Sequence, residues 1–195
     1  ALDNQAYLLS RIGKFRESLE RYELAYRQHL VSGEKNDAGF SMSNIGQVLW
    51  SLGKFDSAID AHNKSIALRR ETGNQKGEAN SWKKIAGLYR ESGDAAKSME
   101  AYRKAMEIYK KIEAKEEYGE SLEDMASGYS KIKDYVNAEK YYQEALQLYR
   151  TIKARNKEAG VLSSLGDMFF SEQKYARADE YFVLASAIQK DINDR

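Results

Sequence analysis

The chain has 195 residues, 42% of them hydrophobic and 31% charged, and its 31 Lys plus Arg against 30 Asp plus Glu leave a formal net charge of +1. That composition carries enough apolar surface to fold, and nothing in its charge balance demands nucleic acid or an anionic membrane. Cysteine is absent, which excludes disulfide frameworks, Cys-based zinc sites and a Cys nucleophile and fits a reducing, cytoplasmic setting. No apolar run approaches the ~18 residues of a membrane span, and no signal peptide opens the chain, so membrane insertion is not expected.

One period runs through the sequence. Gly13, Gly53 and Gly93 are 40 apart, as are Tyr22, His62, Tyr102, Tyr142 and Phe182. A fixed period of this length marks a stacked solenoid in which each unit buries its apolar face against its neighbours. With Pro absent and Gly lying between apolar-periodic stretches, each unit reads as two helices joined by a short turn.

The first repeat (1–37) begins without Met, inside a predicted helix at roughly 2–12, followed by a second at 15–31; we expect a piece of a longer protein. The second repeat (38–77) reads as helices at roughly 38–52 and 55–72 with a long turn, Thr72-Gly73-Asn74-Gln75-Lys76-Gly77. The third (78–117) gives 78–92 and 95–112, the fourth (118–157) gives 118–132 and 135–152, and the fifth (158–195) gives 158–172 and 175–192. No polar capping helix follows, and the first repeat lacks the start of its first helix. Both ends are therefore expected to expose apolar surface that a flanking segment or a second copy would cover.

Small residues recur where helices must approach: Ala6, Gly46, Ala86, Ala126 and Gly166 in the first helices, then Ser18, Ala58, Ser98, Ala138, Ala178 and Ala25, Ser65, Ala105, Ala145, Ala185 in the second. Large residues stand three to four away, as in Trp82, Ile85 and Tyr89, so small and large alternate across each helix pair. This pattern resembles the tetratricopeptide repeat, shown in the third unit by Trp82, Ile85, Ala86, Tyr89, Ser98, Tyr102 and Ala105. The helix-terminating Pro of that family is missing, and the period exceeds the common 34. The longer form is similar to the repeats of Leu-Gly-Asn-type scaffolds, kinesin light chains and bacterial signalling proteins. The resemblance implies an all-α, right-handed superhelical solenoid of about five antiparallel helix pairs, whose first helices line a concave groove for a partner peptide or helix.

The face of each first helix opposite the packing positions supplies the candidate binding residues: Asn44, Gln47 and Trp50, then Asn80, Lys83, Lys84 and Arg90, then Glu123 and Asp124, then Asp167 and Phe170. This gives a basic step at Lys83, Lys84 and Arg90 and an acidic one beyond it. A polarised peptide would fit the two steps; pairing of these charges between adjacent helices would equally account for them. Trp50 reads either as an aromatic anchor or as a ring packed on the neighbouring helix. The Lys and Asn pattern of the chaperone-carboxylate clamp is broken at Gly87 and Asp124.

Catalytic and metal-binding patterns are missing. His62 holds an aromatic packing slot, His29 has no matching ligand spacing, and no phosphate-cradling loop or nucleophile elbow occurs. The reading is therefore a non-enzymatic protein-interaction module without cofactor or metal, binding protein or peptide and no nucleic acid. The alternative is a regulatory or self-assembly element of a larger signalling protein, packing on flanking domains or associating through its terminal repeats.

Overall fold

A single stop signal, repeated, sets the helices of this computed structural model, which describes residues 2–193. The helices are α1 (Leu2–Arg11), α2 (Phe15–Val31), α3 (Lys35–Ser51), α4 (Phe55–Glu71), α5 (Gln75–Glu91), α6 (Ala95–Lys111), α7 (Lys115–Lys131), α8 (Tyr135–Thr151), α9 (Arg155–Ser171) and α10 (Tyr175–Asn193), with no strand among the described residues. Helices from α2 to α9 have 17 residues each. Each three-residue turn closes in the same way. The amide of Lys54 donates to the Leu49 carbonyl at 2.9 Å, and the same bond recurs from Ala154 to Tyr149 (2.9 Å) and from Lys174 to Phe169 (2.8 Å). It satisfies a carbonyl that the helix end would leave orphaned, and it needs a left-handed residue in the middle of the turn. Gly53 fills that position at φ 73°, whereas Lys133 fills the equivalent one at φ 62°.

The first helices of repeats two to five begin at Lys35, Gln75, Lys115 and Arg155, three residues ahead of the starts read from the sequence. The difference is clearest at Gly77. It reads as a turn residue, yet it lies inside the first turn of α5, where its amide donates to the capping side chain of Asn74 at 2.8 Å.

The chain divides into two units, residues 1–108 and 109–195. In the first, α1 to α4 each pack on the next helix in sequence. Its core joins Ala6, Tyr22, Met42, Ile45, Val48 and Ala61 with flanking Phe15, Leu19, Tyr26 and Leu49. In the second, α7, α8, α9 and α10 pack likewise, around Leu122, Met125, Leu146, Leu162, Leu165 and Phe169.

The recurring small positions are buried throughout. Where they are Ser, the hydroxyl finds a carbonyl across the helix pair: Ser18 donates to Ala6 O at 2.7 Å and Ser98 to Ala86 O at 2.8 Å. Buried hydroxyls without such partners would be destabilising. In the second unit, stacked rings reinforce the pairs, Tyr129 on Tyr141 and Phe169 on Tyr181, with centroids 5.5 and 5.4 Å apart. Trp82 occupies its packing slot only half-buried, with Lys104 Nζ 4.6 Å above its ring.

The two ends differ. Leu8 is 63% exposed although its counterparts Val48, Leu88 and Met168 are buried, so α1 does present apolar stacking surface. On α10 the stacking positions are polar instead: Ser186 and Gln189 stand where Leu146 and Tyr149 are buried. Its exposed apolar groups, Val183 and Leu184, lie elsewhere on the helix, where repeat four carries Gln143 and Glu144.

Candidate partner-binding faces

In each unit the first helices of successive repeats lie side by side, and contacts between them define a shared face. Ser41 of α3 donates to Asp3 of α1 at 2.7 Å, the indole N–H of Trp50 on α3 donates to Glu91 of α5 at 2.6 Å, and Lys157 of α9 pairs with Glu120 of α7 at 2.7 Å. The i, i+3, i+4 spacing puts Asn44, Gln47 and Trp50 on one stripe of α3, and Asn80, Lys83, Lys84 and Arg90 on one stripe of α5. Asn44, Gln47, Trp50, Lys83 and Arg90 are half-buried, whereas Asn80 and Lys84 are exposed. Asn80, Lys83 and Arg90 already engage other groups of the chain. Trp50 therefore reaches along the face to α5 rather than standing free, and its ring remains partly open.

In the second unit the stripe is acidic. Glu123 and Asp124 on α7 are half-buried, and Asp167 and Phe170 on α9 are exposed. Burial pushes the Glu123 carboxyl above its usual range, although the Tyr149 hydroxyl, which donates to it at 2.6 Å, opposes the shift. Phe170 is 60% exposed and packs edge-on against Tyr175.

Two features of these faces were not visible in the sequence. One is the last inward position of α2, α4 and α8, where a long side chain reaches a first helix: His29 contacts Asp3, Tyr149 contacts Glu123, and Arg69 lies against Gly39 and Gly77. The other is the environment of His29. Its Nε2 lies 2.9 Å from Asp3 and its Nδ1 2.8 Å from Glu34, which raises its pKa, chiefly through the Asp3 hydrogen bond. His29, Glu34 and Asp37 also offer ligand atoms within 4.8 Å of one another, but a metal there would have to displace the proton that this pair of carboxylates favours. His62, by contrast, is fully buried and packs over Gly46. No helix of the described residues is long and apolar enough to cross a membrane.

The same architecture recurs in solved proteins. RapI in its apo form superposes with a TM-score of 0.85 at 16% identity, over 97% of this chain and 53% of that one, so this chain spans about half of that protein. BtubC (BKLC) from P. vanneervenii gives 0.82 at 15% identity, covering 97% and 79%. A kinesin light chain with nearly identical TPR-like repeats from Podosopora anserina gives 0.72 at 16%, covering 100% and 95%. At such identities these are likenesses of fold alone. No curated protein sequence matches this chain. The sequence profile described as tetratricopeptide repeat matches residues 1–71, 41–111 and 77–151. Such repeats are typical of protein–protein interaction and generally serve as non-enzymatic scaffolds. With the helix pairs, buried small residues and matching profile together, the chain belongs to the tetratricopeptide-repeat family.

Proposed function

We propose that the chain is a protein-interaction module that holds a peptide or helix of a partner on the side-by-side first helices of its repeats. The observation that carries this reading is the division of α3 and α5 into two faces. One packs into the core through Met42, Ile45, Ile85 and Leu88, and the other keeps Asn44, Gln47, Trp50 and Lys84 at least partly open. Asn and Gln side chains offer both donor and acceptor to a peptide backbone, and a partly open Trp supplies apolar area. The second unit offers a face of opposite sign through Glu123, Asp124 and Asp167, with Phe170 as its aromatic.

The test is to select binding peptides from a random displayed library on the intact chain and map them by amide chemical-shift perturbation. Peptides should perturb α3 and α5 or α7 and α9, and a Trp50→Ala, Gln47→Ala double variant should weaken those on α3 by roughly tenfold or more. Peptides that perturb only the second helices would refute the assignment. The exposed Leu8 favours a second reading, self-association through α1. Sedimentation equilibrium should then show an association that Leu8→Glu abolishes; a concentration-independent monomer would remove it.

A further inference from the structure

The turn between α2 and α3 carries a group of side chains that partner binding leaves unused. His29, near the end of α2, stands between two carboxylates, with Asp3 Oδ2 2.9 Å from its Nε2 and Glu34 Oε2 2.8 Å from its Nδ1. Asp37, in the first turn of α3, adds a third, and His29, Glu34 and Asp37 each offer one ligand atom within 4.8 Å of the others. No Lys or Arg pairs with Asp3, Glu34 or Asp37 among the described residues, and Lys35, next to Glu34, is bound to Glu71 at 2.8 Å. Three carboxylates thus gather around one imidazole, which even when protonated cancels only one of their charges.

Asp37 alone would be explained by the dipole at the start of α3. The rest of the group would not. Glu34 occupies the capping position of α3, where Asn74 accepts an amide hydrogen bond in the equivalent turn, yet its side chain makes no cap bond and turns to His29 instead. Asp3 is held from both sides, since Ser41 donates to its Oδ1 at 2.7 Å while its Oδ2 meets His29. A neutral imidazole has one N–H and satisfies only one of its two carboxylates. With that N–H donated to Asp3, the Nδ1 lone pair points at Glu34, and only a cation between them makes the approach favourable. A ring N–H fixed by a carboxylate is also the usual second shell of a histidine metal ligand. Other turns do not repeat the set: the α4–α5 turn carries Arg69, Asn74 and Gly77 at these positions, and the α8–α9 turn carries Tyr149, Ala154 and Lys157.

We propose that His29, Glu34 and Asp37 form a binding site for a divalent transition-metal ion of the zinc type. The ion takes Nδ1 of His29 in place of the proton shared with Glu34, one oxygen each from Glu34 and Asp37, and water in its remaining position. One imidazole and two carboxylates suit Zn²⁺, whereas Mg²⁺ and Ca²⁺ prefer an all-oxygen shell. Asp3 orients the ring from behind through Nε2. The ion would join the end of α2 to the start of α3 and, through Asp3, steady the 10-residue α1. Metal supply would then set how firmly the first repeat is held. The site needs no partner protein and is separate from the interaction reading.

The test is a titration of the intact chain with Zn²⁺, followed by NMR of the imidazole nitrogens. The chain has two histidines, and the buried His62 serves as an internal reference. Zn²⁺ should shift the His29 Nδ1 signal saturably, leave His62 in place and raise the melting temperature. Glu34→Gln and Asp37→Asn, both on exposed sites, should each weaken Zn²⁺ binding roughly tenfold or more, while Asp56→Asn, exposed in the first turn of α4, should not. Three results would overturn the site: no shift at His29, undiminished binding in either ligand variant, or Mg²⁺ or Ca²⁺ binding as tightly as Zn²⁺. The last would reduce the group to a diffuse negative patch.

Discussion

His62 and His29 make the first unit respond to pH in opposite directions. His62 is 1% exposed, its Nδ1 has no partner, and burial, aided by Lys84 and Arg69, lowers its pKa from the ordinary 6.5 to about 4. The unfolded chain therefore takes up a proton near pH 6.5 that the folded one refuses until about 4. Stability is whole above 6.5 and falls as the pH drops through that window, at ~1.36 kcal/mol for each pH unit of displacement. His29 is raised by Asp3 and then Glu34, so its contribution is whole below 6.5 and is lost as the pH climbs through its folded value. His62→Phe should remove the acid-side loss, because Phe182 already packs over Gly166 as His62 does over Gly46. Melting temperatures from pH 4 to 8 would check this, and an unchanged acid limb in the variant would contradict it. The packing role of His62 was legible from its column of Tyr and Phe. The setting of His29 was not, because one of its two partners lies 26 residues earlier in the chain.

At the level of the element, the nine turns share one geometry but not one chemistry. Every left-handed turn position in the first unit is Gly, and every one in the second is Glu113, Lys133, Lys153 or Gln173. A residue with a Cβ is strained there, by about 1 kcal/mol or slightly more. The residue closing each turn is also the cap of the next helix. Asn74 and Asp134 accept an amide hydrogen bond in that role, whereas Ala114 and Ala154 make none. Lys133→Gly and Ala154→Asp should each stabilise the chain by about 1 kcal/mol in urea unfolding, and Gly53→Ala should destabilise it by a similar amount. The second helices were legible almost to the residue, because Gly or a polar turn precedes their first aromatic or apolar residue. The first helices of repeats two to five start earlier than the pattern suggests, and at α5 the reason is that Gly77 looks like a turn residue. Its real cause, clearance for Arg69, is a contact between helices that no local pattern encodes.

For the molecule as a whole, periodicity revealed the repeat and its buried small residues, since each recurs in column after column. It could not reveal Arg69, whose column holds His29, Tyr109, Tyr149 and Gln189 and so has no common type to flag. Nor could it separate α1 from α10, because the polar character of α10 rests on two positions, Ser186 and Gln189, within an otherwise ordinary unit. Uniform turns have a further consequence, for how such a chain can gain or lose length. Removing residues 54–93 would join Gly53 to Asp94 and recreate the same turn, leaving α3 followed by α6 in the correct order of first and second helix. A deletion half that long would set two helices of the same kind in succession and bring the wrong faces together. The shortened chain should remain helical and melt cooperatively by circular dichroism, whereas one lacking residues 54–73 should not. Length in this architecture comes in whole cassettes, so insertions and deletions are filtered by their size before any side chain is tested.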